Sequence, residues 1–361
     1  MNDLLPNKEL IKTSHFTYIY SSEKSQTAYL IANAVSKKSI EGDELIIKIL
    51  DFLNDYRLIE EVYNYCIQEL NVLKEDVNEL LGYLKVNKFI VEQGDIKEEK
   101  AMRWIENNWG NSLLYHEFTY DYPVLDYSTA EAYIRDQDAM KEYKKIEEEP
   151  SIYKTFENYI KEIILPPPSP IDMSYEDSLV NISSCNNNIN LYKLSSILYY
   201  TYGEVNKIKF PVTQPLLRRT SPSGGARHPS ECYLVIFNIE GLEAGLYHYS
   251  VKNHSLIYLK KGDFREFCNK NCYGLVDYKE DPKVVFLHTS IFERNWWRYR
   301  EPKTYKVIFY DFGHILYNFR IVTNSLELST YTIGSGLNDS KIEEFLNIDG
   351  FIEGIIYYTA I

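Results

Sequence analysis

The sequence lacks any run of about 18 apolar residues, so nothing in it is expected to span a bilayer. Its start, Met1 to Leu10, carries charged residues and no apolar h-region. That excludes a secretory signal and makes the cytoplasm the expected location. Basic charge is not in excess either: 39 Lys and Arg stand against 52 Asp and Glu, a formal charge of −13. A general nucleic-acid binder needs a basic face, so that class is disfavoured, whereas a cationic or neutral partner is readily accommodated. Cysteine is sparse, with five residues (Cys66, Cys185, Cys232, Cys268, Cys272), an odd number and no Cys-x-x-Cys. Cys268 and Cys272 can share a helix face, but no His or second Cys pair completes a zinc set.

What is present is an ordinary globular balance, 45% hydrophobic and 25% charged, in 361 residues. That length is too great for one core and suits two domains. The 33 tyrosines accompany many Asn, Ile and Lys, a composition that an AT-rich genome produces by itself. Any single Tyr is therefore read first as packing or solvent edge.

Residues 1–100 form the first expected domain. After extended stretches at Phe16–Tyr20 and Ala28–Ala34, apolar positions recur at three and four. They predict helices over Glu44–Leu53, Leu58–Leu70 and Glu75–Leu84, with Val77, Leu80, Leu81 and Leu84 as the third stripe. A β-like run at Asn87–Glu92 follows, so the pattern reads as three helices and a hairpin wing. It resembles the PqqD-like elements of peptide-modifying enzymes, whose winged helix binds a leader peptide along one strand edge. A small helical domain that only packs on its neighbour fits the same pattern. A DNA-reading winged helix fits less well, because Glu75, Asp76 and Glu79 make the third helix acidic.

Residues 101–170 read as a helical connector, with a helix near Ser128–Glu149. It ends at Leu165-Pro166-Pro167-Pro168-Ser169-Pro170, where prolines stop a helix and favour extended geometry. Residues 171–361 alternate, with helices at Leu191–Tyr202 and Val307–Leu328. Strands are expected at Cys232–Phe237, Gly245–Tyr249, Ser255–Leu259, Val284–His288 and Gly354–Tyr358. The helix from Val307 is apolar most of the way round and is expected to be buried. The fold class is α+β, an antiparallel-rich sheet around a central helix.

Chemistry concentrates in two places. The first is Arg218-Arg219-Thr220-Ser221-Pro222-Ser223-Gly224-Gly225-Ala226-Arg227-His228, directly before a strand. Small residues let backbone N–H groups approach a ligand, the hydroxyls of Ser221 and Ser223 add donors and acceptors, and the arginines bring fixed charge. That inventory suits a flat, polar, anionic cofactor, although a plain surface loop has the same composition. The second is Gly334-Ser335-Gly336, read as opening a helix over Ser340–Asn347, an arrangement that binds anions or merely caps.

Taken in order with Gly245-Leu246-Tyr247-His248-Tyr249, Arg298-Tyr299 and Asp311-Phe312-Gly313-His314, these motifs resemble the SagB-type dehydrogenases. Those are nitroreductase-fold flavoproteins that act on ribosomally made peptides. The resemblance covers roughly the last 170 residues. It implies FMN held by Arg218, Arg219, Ser221, Ser223, Gly224, Gly225, Ala226, Gly334, Ser335 and Gly336, at the interface of a homodimer. It also implies a ribosomal precursor peptide as substrate, its leader bound by the N-terminal domain, and a peptide-modifying synthetase as partner.

Two departures bear on function. Family members that oxidise azolines carry a Lys-Tyr pair for the substrate proton. Here Tyr299 is kept, but Arg298 stands in place of lysine and stays cationic at any working pH. Removal of a proton by residue 298 is therefore disfavoured. Arg298 would polarise a carbonyl or steady an enolate, and Tyr299 would deliver a proton. The arginine-rich phosphate segment of nitroreductases corresponds to Asn181-Ile182-Ser183-Ser184, without arginine, so either Arg218 or Arg219 compensates or FMN binding is weaker than the resemblance implies.

The reading that follows is NAD(P)H-driven, FMN-dependent reduction of dehydroalanine or dehydrobutyrine to D-amino acids in a lanthipeptide. Azoline oxidation to thiazole or oxazole rings is one alternative. A non-catalytic peptide-binding subunit is another. His314 is expected to bond neighbouring backbone, Asp311 to cap or pair with it, and Trp296 and Trp297 to pack.

Overall fold

A computed structural model describes residues 9–21, 29–123, 128–180, 188–277, 281–334 and 336–361. They fall into two compact units, residues 1–124 and 125–361.

The first unit contains β1 (Leu10–Thr13), β2 (Thr17–Ser21), β3 (Tyr29–Asn33), β4 (Lys38–Gly42), α1 (Glu44–Phe52), β5 (Arg57–Leu58), α2 (Ile59–Gln68), α3 (Lys74–Val86), β6 (Ile90–Glu92), α4 (Ile96–Glu106) and α5 (Gly110–Thr119). The predicted helical stripes interlock: Ile49, Leu50, Val62, Cys66, Val77, Leu81 and Leu84 share one core with Ile11, Ile31 and Ile90. Each fully buried aliphatic side chain there contributes about 1.5–3 kcal/mol of transfer free energy. Strands β2, β3 and β4 form a meander, and β1 is central in a second sheet of order β5-β1-β6. The expected hairpin after the third helix is not formed. The chain turns at Gly94, and Asp95 caps α4 by accepting the N–H groups of Lys97 and Glu98. β6 pairs antiparallel with β1 instead.

The second unit contains α6 (Ala130–Ile146), β7 (Lys161–Ile164), α7 (Tyr175–Val180), α8 (Leu191–Tyr202), β8 (Glu204–Ile208), β9 (Leu216–Arg219), β10 (Ser230–Ile236), β11 (Gly245–Ser250), β12 (Ser255–Lys261), α9 (Arg265–Asn271), β13 (Val284–Ile291), α10 (Glu293–Trp296), α11 (Thr304–Ser325), β14 (Tyr331–Gly334), α12 (Asp339–Leu346) and β15 (Glu353–Ala360). Its sheet is antiparallel throughout, in the order β14-β15-β13-β10-β11-β12-β7. The central strands are buried on both faces, which is why β10 and β13 read as unbroken apolar runs. Cys232, Leu234, Ile236 and Phe286 face a core completed by α8 and α11. Tyr233, Val235, Phe237 and Leu287 face a second core completed by α9 and α12. The architecture is α+β.

Residues 101–170 are divided between the units, with most of α4 and all of α5 in the first and α6 and β7 in the second. α11 is not buried all round. Phe312, Ile315, Phe319 and Val322 pack inward, whereas Tyr305, Phe309, Tyr310 and Tyr317 are exposed. Among the described residues, no helix is long and apolar enough to cross a membrane.

Candidate functional site

The loop between β9 and β10 is fixed by α11. Asp311, His314 and Asn318 lie three and four residues apart, so they form one stripe on the helix. Asp311 accepts hydrogen bonds from Ser223 Oγ at 2.6 Å and from the Gly224 N–H at 2.9 Å. His314 Nδ1 donates to the Pro222 carbonyl at 3.2 Å, and Asn318 Nδ2 donates to Ser221 Oγ at 2.9 Å. Ser221 Oγ donates in turn to the Thr201 carbonyl at 2.6 Å. Asp311 thus pairs with the loop rather than with His314, and His314 lies on an exposed part of the helix. Burial raises the Asp311 carboxyl above its ordinary range, against the lowering effect of Ser223 and Gly224.

The glycines are needed for close approach. A Cβ on Gly224 would stand 2.3 Å from Val307 Cγ1, and one on Gly225 would stand 1.9 Å from the Tyr299 hydroxyl oxygen. Gly225, Ala226 and His228 all have positive φ, at 60°, 52° and 46°. Non-glycine residues rarely adopt that conformation, and it persists only where the surroundings enforce it.

This loop forms one wall of a cavity of about 510 Å³. Arg218, Arg219, Ser223, Gly225, Ala226, Arg298 and Tyr299 line it together, with Ile208, Phe210 and Leu216 of the β8–β9 hairpin as apolar wall and Tyr133 and Asp136 of α6 opposite. Arg218 is exposed on β9. Arg219 is buried, and one of its nitrogens donates to the Ser230 carbonyl at 3.0 Å. Its Nε and Nη2 are buried without a hydrogen-bond partner among the described residues. Burial first, and the nearby Arg294 charge with it, lowers the Arg219 pKa, while Glu231 opposes that shift. Arg227 Nε reaches the Gly225 carbonyl at 3.3 Å. His228 Nε2 donates to the Leu217 carbonyl at 3.0 Å, and burial, followed by the Arg219 charge, depresses its pKa to about 3. The imidazole is therefore neutral at physiological pH.

Behind the cavity wall sits a buried charge cluster. Glu231 accepts from Arg294 Nη1 at 2.5 Å and from His248 Nε2 at 2.8 Å. Burial alone would raise its pKa, but Arg294 and then His248 outweigh it and hold the carboxyl well below the usual range. Arg294 also donates to the carbonyls of His228 and Ser151, at 3.0 and 2.9 Å, which ties the end of the loop to α10.

Arg298 is held by a forked ion pair. Its Nη1 donates to Asp136 Oδ1 at 2.7 Å and its Nη2 to Asp136 Oδ2. The guanidinium carbon also lies 4.7 Å from the Tyr299 ring centroid. The free fixed cation expected at 298 is thus largely neutralised by α6. Two arms of a planar fork matched by two carboxylate oxygens are the reason.

The glycine turn does not line this cavity. Gly334 ends β14 and pairs with Tyr358, three strands from β10 and so roughly 14 Å across the sheet. Gly336 packs against Tyr273, whose N–H donates to the Gly336 carbonyl at 2.8 Å. α12 starts at Asp339 behind Asn338, so the turn does not open the helix directly. Ser335 and Asn181–Ser184 lie outside the described residues. Trp297 is buried and Trp296 is half exposed. Among the described residues, no His, Cys, Asp and Glu cluster is able to hold a metal ion.

Around the small-residue backbone and the apolar wall, Arg218 is the exposed cation, whereas Arg219, Arg227 and Arg298 face the carboxylates of Glu231, Glu149 and Asp136. The tight approach at Gly224 and Gly225 is to Val307 and Tyr299 of the same chain, and the exposed Arg218 beside the loop fits an anionic group of a cofactor such as FMN. Tyr133 and Asp136 are not marked in the sequence, where their helix reads as a connector. Nor is Asp311 marked as the fastener of the loop, although the 311, 314 and 318 spacing is visible.

No protein-family profile matches the chain. The chain is 33% identical over 170 residues to the trifolitoxin-processing protein TfxB of Rhizobium leguminosarum, covering 46% of this chain and 45% of that protein. It is 27% identical over 181 residues to a Methanocaldococcus jannaschii protein named as a nitroreductase (MJ1384), covering 49% of this chain and 86% of that one. Identity to the microcin B17-processing protein McbC of Escherichia coli is 25% over 188 residues, covering 48% of this chain and 67% of that one. The chain therefore spans less than half the length of the trifolitoxin-processing relative. Similarity to solved structures is partial. A nitroreductase from Anabaena variabilis superposes with a TM-score of 0.45 at 21% identity, covering 63% of this chain and 45% of the other. The microcin synthetase McbBCD complex of E. coli, with truncated pro-MccB17 bound, gives 0.41 at 18%, covering 63% of this chain and 92% of the other.

Proposed function

We propose that the second unit is an FMN-dependent oxidoreductase of SagB type, in the nitroreductase superfamily, that tailors a ribosomally synthesised peptide. The observation that carries this reading is the arginine-lined cavity beside the 223–226 backbone, with Arg218 exposed on β9 as its open cation. Arg218, Arg219, Ser223, Gly225 and Ala226 would hold the cofactor, with Ser221 and Gly224 fixing the loop from behind. FMN supplies hydride transfer, and the protein supplies orientation and polarity. The relatives named as trifolitoxin- and microcin-processing proteins support a peptide substrate. Exposed Phe309, Tyr310 and Tyr317 on α11 offer a face for a homodimer partner, and Gly334–Gly336 would reach a flavin only from such a partner. The first unit would serve as a recognition domain for the precursor's leader. A peptide-modifying synthetase would supply the substrate.

The direction proposed is NAD(P)H-driven reduction of dehydroalanine or dehydrobutyrine to D-residues in a lanthipeptide. Oxidation of an azoline needs a base for the substrate proton. The groups that line the cavity do not supply one near neutrality: His228 is held to about 3, Asp136 is engaged by Arg298, and the arginines stay charged. Tyr299 is able to donate a proton to the substrate carbon. Arg298 holds α6 and the Tyr299 ring in place rather than acting on substrate. Mass spectrometry of the treated precursor tests the direction. A gain of about 2 Da per event on a dehydrated peptide supports reduction. A loss of the same size on an azoline peptide overturns it.

A further inference from the structure

A second cleft, of about 270 Å³, adjoins the cavity through Tyr299, which lines both. Phe292, Trp296, Tyr305 and Ile308 line it, and so does Asn295. Asn295 is 2% exposed, yet neither its Nδ2 nor its Oδ1 bonds any described residue. Exchanging the two amide atoms changes nothing, since both are unpaired. Buried side-chain amides almost always find partners, so one left with donor and acceptor both open points to a ligand that carries the complementary pair. A peptide unit does so, presenting one C=O and one N–H. The volume is just below the range of about 300–1,000 Å³ for whole small-molecule sites, which suits one residue of a longer chain. Two charged residues also line the cleft: Arg300, which pairs with Glu147 and lies 3.8 Å from the Tyr143 ring centroid, and Glu301, which disfavours an anionic residue there.

We infer that this cleft is a substrate subsite that seats an uncharged apolar residue of the peptide, next to the reacting residue. Asn295 pairs with that residue's backbone amide, and Trp296 and Tyr305 enclose its side chain. The inference rests on the proposed peptide substrate and names the part of the peptide that is read. Because the cleft meets the cavity at Tyr299, a residue seated in it would place its neighbour against the Tyr299 hydroxyl.

The test uses the full-length chain and two uncharged-terminus pentapeptides, acetyl-Gly-Gly-Leu-Gly-Gly-amide and the same peptide with Glu in place of Leu. Saturation-transfer NMR reads their contact without turnover. Strong saturation of the Leu methyls is expected, with a fall of roughly ten-fold in affinity for Asn295→Ala and a similar fall for Trp296→Ala. Trp296 is 43% exposed, so its substitution keeps the fold, and Asn295→Ser recovers part of the loss by retaining a donor and an acceptor. Equal saturation of the Leu and Glu peptides overturns the inference, as does a Leu signal unchanged in both variants. Flavin content, read separately by visible absorbance, reports on the oxidoreductase proposal. The two failures are thus distinguishable.

Discussion

Arg298 and Asp136 are 162 positions apart in sequence, and each end of one planar group meets an end of the other where α6 closes the cavity. Both side chains are largely buried, at 11% and 7% exposure. Removing one partner strands the other's charge out of water, which costs about 3–5 kcal/mol. Asp136→Asn should therefore lower the Tm of the second unit by several degrees and loosen α6. Arg298→Lys, which keeps the charge but loses the fork, should have a smaller effect. Thermal unfolding by circular dichroism checks both. Equal stability in all three proteins would show that the pair contributes little.

Tyr299 and Gly225 are in tight contact, and each predicts a different defect. Tyr299→Phe removes the proposed proton donor and should reduce turnover by about 10²–10⁴-fold with flavin retained. Gly225→Ala places a methyl group against the hydroxyl at positive φ. Flavin content and turnover should fall together, with at least about 1 kcal/mol of backbone strain added. Steady-state kinetics beside visible absorbance separates the two.

Asp311 fastens the loop through Ser223 and Gly224. Asp311→Ala leaves both donors without their acceptor, a loss of about 1–3 kcal/mol for the folded loop. Weaker FMN binding with an unaltered first unit is the expected result. Isothermal titration with FMN measures it.

His228 and His288 are both buried as neutral rings, each with its pKa depressed by burial from 6.5 to about 3. The unfolded chain then binds more protons than the folded one between those values. Stability is full above about pH 6.5 and declines as pH falls through that window. Glu98, in the first unit, behaves as a lowered carboxylate. Burial would raise it, but bonds from His15 and Ser14 outweigh that and bring it to about 2. Its contribution is present above about 4.5 and lost on descent toward 2. Urea unfolding at a series of pH values should show the second unit weakening first. His228→Asn should flatten part of the slope below pH 6.5.

Much of this architecture is legible in local patterns. The three-and-four stripes of α1 and α3 locate those helices within a residue or two, and the apolar runs of β10 and β13 announce strands covered on both faces. Tertiary pairing decides the rest. Lys161–Ile164 carries little strand signal and becomes an edge strand only because β12 offers it partners. The exposed aromatics of α11 are indistinguishable in sequence from its core residues, because hydrophobicity alone does not say which face of the helix turns inward. Around the cavity, the small-residue loop and the Arg298-Tyr299 pair are readable motifs. Asp136 is not, since its partner lies far along the chain. The order of motifs groups Gly334 with the loop, and the sheet places it three strands away from β10.

The most direct test of the central claim is titration of the purified full-length chain with FMN, followed by absorbance and flavin fluorescence. Saturable, stoichiometric binding is predicted, weakened at least roughly ten-fold by Arg218→Met, which removes the exposed cation of the cavity. A colourless protein that leaves added FMN unperturbed, in a chain that is folded by circular dichroism, would contradict the flavin site and every step built on it.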